Sequence, residues 1–166
     1  MRRALHARLR PSAARAFTLI EILIVVTILG ILAGIASLMA ASAVIDTRLT
    51  VFVADLRVLG DAAMLHNAQE GLPVPEAAPG SLPPDLDPYL TQQDKFNAIT
   101  PIGGEWDVTS DTLGVASAVG VVFTGAGPTR DDAFMARADA MLDDGDLTSG
   151  VFRKLDANAY YLIVKR

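Results

Sequence analysis

The chain has 166 residues, 51% of them hydrophobic, and it carries a formal net charge of −5 with no cysteine. This length allows one domain plus an anchor, and the missing cysteines exclude disulfides, thiolate chemistry and a cysteine-based zinc site. All 19 acidic residues but only 9 of the 14 basic ones follow residue 16, and this acidic balance disfavours nucleic acid as a partner.

The first predicted segment, residues 1–16, is a basic leader with five arginines and no acidic residue. It directly precedes residues 17–45, an apolar run in which Glu21 is the single charged side chain. About 20 apolar residues cross the hydrocarbon core of a bilayer, so this run predicts a membrane-spanning helix. By the positive-inside rule, the arginines stay in the cytoplasm and the C-terminal part is exported.

Three general kinds of N-terminus share some of these features. In a secretory signal a short apolar region precedes the small-residue cleavage site, whereas here Ala14-Arg15-Ala16 comes before a long apolar run. A mitochondrial transit peptide is also Arg-rich and acid-poor, but a spanning helix directly behind it is unusual. An uncleaved single-span anchor that carries an exported, acidic binding module is the alternative function for this chain.

The junction between leader and helix is the most specific feature. Residues 16–33 read AFTLIEILIVVTILGILA and closely resemble the N-terminal segment of type IV pilins and type II secretion pseudopilins. The resemblance implies that a prepilin peptidase cuts between Ala16 and Phe17 and then methylates the new N-terminal amine of Phe17. It also implies the pilin fold, in which a long N-terminal helix packs on a small antiparallel sheet.

The function implied by the resemblance is structural, and no enzymatic activity is expected. The chain would be a pseudopilin or minor pilin of a type II secretion system or a type IV pilus-like filament. It would reside in the bacterial inner membrane as a single-pass protein before it enters the filament. The implied partners are the prepilin peptidase, other pilin or pseudopilin subunits, the inner-membrane assembly platform and membrane lipid.

Two positions depart from the pattern of the family. The residue before the cut is usually Gly, and here it is Ala16, whose small side chain should still fit the peptidase. Many members carry Pro where this chain has Leu38, at a point where the helix loosens in the filament. The missing Pro favours a pseudopilin or minor pilin over a major pilin, and any loosening would rely on Gly30 and Gly34.

Glu21 is the strongest single clue to function, because a carboxylate inside a membrane costs about 2.5–3.5 kcal/mol on insertion scales. Phe17 stands four residues earlier, on the same helix face, and after cleavage it carries a cationic amine. The resemblance implies that Glu21 pairs with the N-terminal amine of a neighbouring subunit. The alternative is a carboxylate that is protonated or that reaches back to the lipid headgroups.

Gly30 and Gly34 form a small-xxx-small pair in the apolar run. Small residues let the backbones of membrane helices approach closely, so the pair predicts contact between the helices of a filament core. The alternative is the ordinary glycine content of any membrane helix.

Two segments follow the predicted span. Residues 46–71 continue the helix, with an apolar stripe of Leu49, Phe52, Val53, Leu56, Leu59 and Ala63 at three- and four-residue steps. Gly71 and Pro73 end that helix. Residues 72–104 hold seven of the nine prolines and predict a connector on the surface of the helix, with one short helical turn near residues 86–89.

The last segment, residues 105–166, predicts a β-sheet head. Trp106 should be a core anchor, and apolar residues alternate with small ones over 115–123, which predicts a half-buried strand. A short helix should open at residues 129–132 with a capping box that begins at Thr129, and two closing strands follow near 150–155 and 159–165. Independently of the resemblance, this order of elements predicts an α+β fold.

One oxygen-rich cluster could hold a metal. Asp144, Asp146 and Thr148 have the i, i+2, i+4 spacing of the first ligands of calcium loops, but Ser149 replaces the expected Gly and no Glu occupies the twelfth position. We expect a solvated turn there, with bound calcium as the alternative, and no other cofactor. His6 and His66 show no catalytic or metal-binding spacing, and His66 is expected to pack or to lie on the surface.

Overall fold

The computed structural model describes residues 17–165, without the side chain of Leu38. Its elements are α1 Leu19–Glu70, a 3-10 helix Pro84–Tyr89, α2 Gln93–Phe96, β1 Glu105–Thr112, β2 Val115–Val122, α3 Asp132–Leu142, β3 Phe152–Asp156 and β4 Ala159–Lys165. The strands form one antiparallel sheet in the order β1-β2-β4-β3. The predicted α+β class, a long N-terminal helix followed by a small antiparallel sheet, is confirmed. The predicted leader lies outside the described residues.

The chain divides into two units within α1, one ending at Ala41 and the other beginning at Ser42. In the first unit, every described side chain from residue 17 to 41 is exposed. Within the helix, two of its hydroxyls donate to backbone carbonyls of the preceding turn, Thr27 to Ile24 at 2.8 Å and Ser37 to Gly34 at 2.9 Å. A helix in lipid requires its polar groups to be hydrogen-bonded within the protein, as these hydroxyls are. Among the described helices, α1 is the one that is long and apolar enough to cross a membrane.

The second unit contains the hydrophobic core, and the later part of α1 supplies one wall of it. All six residues of the predicted stripe are buried, which confirms the helical periodicity. Trp106, at the start of β1, stacks on Phe52 at a centroid distance of 5.4 Å and meets the edge of Phe96 at 5.3 Å. The tryptophan is therefore a core anchor, as predicted.

Gly60 lies where α1 packs closely against the sheet. A Cβ at this position would lie 2.7 Å from Leu162 Cδ2, on the central strand β4. A glycine inside a helix is unfavourable by about 1 kcal/mol relative to alanine, so its presence here indicates a packing requirement. The missing side chain lets the helix lie directly on the sheet.

The Pro-rich connector differs from the expected surface segment. It contributes buried apolar side chains to the main core, namely Val74, Leu82, Leu86, Leu90, Phe96 and Ile102. The Gly80 N–H also donates to the Trp106 carbonyl at 2.8 Å, so the connector runs along the outer edge of β1. The prolines hide this role in the sequence, because they remove the helical or strand periodicity that would mark the buried leucines.

Two local expectations for the head are wrong. β2 is buried on both faces rather than half-buried, because a second apolar cluster around Ala118, Tyr161 and Ile163 covers the face away from α1. The cap of α3 is Asp131, whose carboxylate accepts the Phe134 N–H at 2.9 Å, rather than Thr129. Asp131 directly precedes the first helical residue, so its carboxylate can accept the N–H of Phe134, which has no partner within the helix.

Candidate assembly site at the start of α1

The first turn of α1 is closed by a reciprocal pair of contacts between Thr18 and Glu21. The Glu21 carboxylate Oε2 accepts the Thr18 N–H at 2.9 Å and the Thr18 hydroxyl at 2.8 Å. In return, the Thr18 Oγ1 accepts the Glu21 N–H at 3.3 Å. This arrangement is a capping box, in which each side chain satisfies a backbone amide that the helix leaves unpaired.

The capping box leaves part of the glutamate available. Both hydrogen bonds to the Glu21 carboxylate go to Oε2, and no donor within residues 17–165 contacts Oε1. Phe17, directly before the box, exposes 76% of its side chain. The structure therefore brings Phe17, Thr18 and Glu21 together in one turn, beside exposed apolar side chains.

The two predicted packing glycines lie further along the same unit. A Cβ built at Gly30 or at Gly34 meets nothing within 4 Å. Neither glycine is therefore needed for contacts within the described chain, in contrast to Gly60. Ala16, on the leader side of the predicted cut, and the side chain of Leu38 lie outside what the structure describes.

The predicted calcium ligands lie in the turn that follows α3. Asp144 Oδ1 accepts the Asp146 N–H at 2.9 Å, and Asp146 Oδ1 accepts the Thr148 N–H at 3.0 Å and its hydroxyl at 2.7 Å. The two hydrogen bonds from Thr148 lower the pKa of the Asp146 carboxyl. Asp146 and Thr148 thus stabilise the turn by binding each other, and calcium binding by the three predicted residues stays a prediction.

A second acidic grouping, which the sequence did not indicate, overlaps this turn. Carboxylate oxygens of Asp139, Asp143 and Asp144 lie within 4.8 Å of one another. Burial, together with the negative charges of Asp144 and Asp143, raises the pKa of Asp139 to about 6. The spacing of Asp139 and Asp143, one helical turn across the end of α3, is the sequence signal that could have found the pair.

His66 is buried and meets the edge of the Tyr89 ring at a centroid distance of 5.9 Å. Of the two roles expected from the sequence, packing or surface, packing accounts for this position.

Comparison with known proteins adds one finding. The model of the prokaryotic N-terminal methylation motif matches residues 11–37. No curated protein and no solved structure shows significant similarity to the chain. The chain thus carries the signature of type IV pilins and pseudopilins on a pilin-like layout of long helix and antiparallel sheet. Together with the motif, the apolar start of α1 fits a single-pass anchor in the inner membrane.

Proposed function

We propose that the chain is a structural subunit, a pseudopilin or minor pilin, of a type II secretion system or a type IV pilus-like filament. The observation that carries the proposal is the methylation motif at residues 11–37, which spans the junction of leader and helix. A non-enzymatic role follows, because the motif prepares a helix for assembly rather than a site for chemistry.

Maturation begins with cleavage between Ala16 and Phe17 by a prepilin peptidase, followed by methylation of the Phe17 amine. Before assembly the subunit is held in the inner membrane, with its head exported. The exposed apolar surface of residues 17–41 supports this proposal, since exposed leucine, isoleucine and valine side chains need lipid or other helices around them. The assembly platform and other subunits are the proposed partners that replace lipid.

Glu21 serves two purposes in this proposal. One carboxylate oxygen closes the capping box with Thr18, which fixes the side chain at the start of the helix. The other oxygen then accepts a hydrogen bond from the methylated, cationic amine of Phe17 of a neighbouring subunit. The ion pair neutralises both charges inside an apolar filament core. The cap and the pairing do not compete, because they use different oxygens.

Gly30 and Gly34 provide the close contact between neighbouring helices. The empty space around both positions supports this role, since nothing in the described chain occupies it. A filament core built from such helices would be held by van der Waals packing, as membrane helices are.

The proposal is tested by substitution of Glu21 in cells that contain the cognate platform. We expect Glu21→Ala and Glu21→Gln to be processed normally but excluded from filaments, because both lose the negative charge. Processing is read by mass spectrometry of the N-terminus, and assembly by recovery of the subunit in sheared filament fractions.

Thr18→Val is the matched control, because it removes the hydroxyl of the capping box but keeps the carboxylate of Glu21. It should assemble substantially better than either Glu21 variant. Normal assembly of Glu21→Ala would contradict the pairing, and loss of assembly in all three variants to the same extent would assign Glu21 to helix capping alone.

A further inference from the structure

The face of the sheet that points away from α1 holds an open cavity of about 650 Å³. Its floor comes from β1, β2 and β4, and one wall comes from the part of the connector that runs along the edge of β1. The floor combines apolar and hydroxyl-bearing side chains, among them Val122, Ala159, Thr109 and Tyr161. Binding clefts usually measure about 300–1,000 Å³, so this cavity is large enough to receive a side chain of a partner.

Three carboxylates line the cavity, those of Glu76 in the connector, Asp107 in β1 and Asp156 at the end of β3. Asp107 is only 7% exposed, and its Oδ2 accepts the Tyr161 hydroxyl at 2.6 Å. Burial, this hydrogen bond and the negative charges of the three carboxylates all raise the pKa of the Tyr161 hydroxyl. The three charges therefore act together on one place in the cavity.

No basic side chain of residues 17–165 lines the cavity. The ion pairs within that range involve Asp46, Asp55 and Asp132, and none involves a carboxylate of the cavity. Like charges that are held together at a partly buried place favour a nearby cation. Because the floor is partly apolar, the best fit is a cation on an apolar stem, which is the chemistry of an arginine or lysine side chain.

Arg48 offers such a cation on the other side of the second unit. It directly precedes Leu49, the first buried residue in the described part of α1, and α1 packs on the face of the sheet opposite to the cavity. The Arg48 side chain is exposed, and no ion pair within residues 17–165 includes it. Within one copy the sheet separates Arg48 from the cavity, so the two can meet only between copies.

We propose that the cavity receives the Arg48 side chain of a second copy of this chain, an inference that rests on the proposed function as a filament subunit. The contact joins two different faces of the second unit, so each copy can give one arginine and accept another. Such heterologous contacts continue from copy to copy and build an open helical array. The planar guanidinium can also donate to two carboxylates at once, which suits a cavity that presents three.

Lys165 is the alternative basic side chain. It is exposed, and the alternation along β4 places it on the same face of the sheet as Tyr161 and Ile163, and thus as the cavity. A contact between Lys165 and the cavity would use the same face of both copies, and an isologous contact of this kind closes at a dimer. The two alternatives therefore predict cross-linked products of different size.

Cross-linking tests the proposed contact, because the chain has no cysteine of its own. Arg48→Cys and Glu76→Cys are introduced together into the full-length chain in cells that contain the cognate platform. The exported parts are then treated with a bismaleimide that spans the length of an arginine side chain. We expect a ladder of dimers, trimers and longer products, whereas each single-cysteine variant should give dimers at most. Lys165→Cys with Glu76→Cys is the matched control and should give no ladder.

Charge reversal tests the contact without a reagent. Arg48→Glu should lower the recovery of the subunit in sheared filament fractions several-fold, because it brings a fourth negative charge to the cavity. Arg48→Glu combined with Glu76→Arg should restore much of the recovery, and Lys165→Glu should assemble like the wild type. All three side chains are exposed, so the melting temperatures in detergent should stay close to that of the wild type.

The possible contrary results are distinguishable. A missing ladder in filaments that otherwise form, together with normal assembly of Arg48→Glu, would overturn the contact and leave the proposed function intact. Dimers from the Lys165→Cys pair, without a ladder from the Arg48→Cys pair, would overturn the choice of Arg48. A wild-type chain that keeps residues 1–16 and enters no filament would overturn the proposed function and this contact with it.

Discussion

The two parts of α1, up to Ala41 and from Ser42, contain similar apolar residues but differ in the exposure of their side chains. Leu29, in the first part, exposes 58% of its side chain, whereas Leu56, in the second, is completely buried. Both are leucines in the same continuous helix. The difference is that the connector and the sheet cover one face of the second part, while the described chain covers no face of the first. A helix that is apolar on all sides must find its partners in lipid or in other subunits.

The glycines show the same contrast. Gly60 lies directly against Leu162 of the sheet, whereas the positions of Gly30 and Gly34 are open. A close approach within the fold explains the first glycine. Contact between subunits would explain the other two, which makes them useful for separating folding from assembly.

The largest effect on stability should come from the aromatic core of the head. Trp106→Ala should lower the free energy of unfolding by about 3–5 kcal/mol, because it leaves a large cavity between Phe52 and Phe96. Leu29→Ala is the control, and it should leave the stability of the head unchanged. Urea unfolding of the protein in detergent, followed by tryptophan fluorescence for Leu29→Ala and by circular dichroism for both, measures this. Equal losses in the two variants would contradict the division of α1.

The next largest difference in stability is expected between alanine substitutions at Gly120, in β2, and at Gly30, in the first part of α1. A Cβ at Gly120 would lie 2.1 Å from the Tyr160 carbonyl, so Gly120→Ala should cost about 3 kcal/mol, since backbone must move. Gly30→Ala should leave the melting temperature of the head unchanged and reduce recovery in filament fractions. A Gly120→Ala variant as stable as the wild type would contradict the role of Gly120 in folding. A Gly30→Ala variant that assembles as well as the wild type would contradict the role of Gly30 in assembly.

Buried and exposed hydroxyls should differ by a smaller amount. The Tyr161 hydroxyl donates to Asp107 Oδ2 at 2.6 Å, and both residues are buried. Tyr161→Phe should therefore lower stability by about 1–2 kcal/mol, because the carboxylate loses a donor. Thr27→Val, in the first part of α1, removes an exposed hydroxyl that bonds only within its helix, and it should not change the stability of the head. Thermal melts of the two variants compare these effects.

The smallest effect concerns pH. Burial raises the pKa of Asp107, and the charge of Glu76 adds to this, although the Tyr161 hydrogen bond opposes it. The folded head therefore holds this proton more tightly than the unfolded chain, so stability falls as pH rises through the raised pKa. Asp107→Asn should remove that part of the fall and should be at least as stable as the wild type at neutral pH. Urea unfolding midpoints of the wild type and of Asp107→Asn, measured between about pH 4 and 8, test this prediction. A difference between the two proteins that does not change with pH would contradict it.

Local patterns made much of this fold predictable from the sequence. The apolar run, the stripe from Leu49 to Ala63 and the closing strands each repeat at the period of their element, so their buried faces could be identified. The connector could not be interpreted in this way, because Leu82, Leu86 and Leu90 are buried by contacts with distant segments. The same reason applies to β2, whose second buried face depends on Tyr161 and Ile163 across the sheet.

The candidate site was predictable in part. The motif around Phe17 and Glu21 indicates assembly. Thr18, three residues before Glu21, is in addition a standard signal for the capping box that the structure shows. Asp139 lies within α3, and only the end of that helix brings its carboxylate to Asp143 and Asp144, so the acidic turn seen in the sequence does not include it. Spacing along the chain identifies groups of residues that are near in sequence, whereas the fold brings together carboxylates from the helix and from the turn.

The central claim is that Phe17 becomes a processed N-terminus and that α1 then leaves lipid for a filament. Mass spectrometry of the protein isolated from its own membrane tests this most directly. We predict a chain that has lost residues 1–16 and carries one added methyl group on Phe17. An intact chain that begins at Met1 in the membrane would contradict the account and would favour an uncleaved anchor with an exported head.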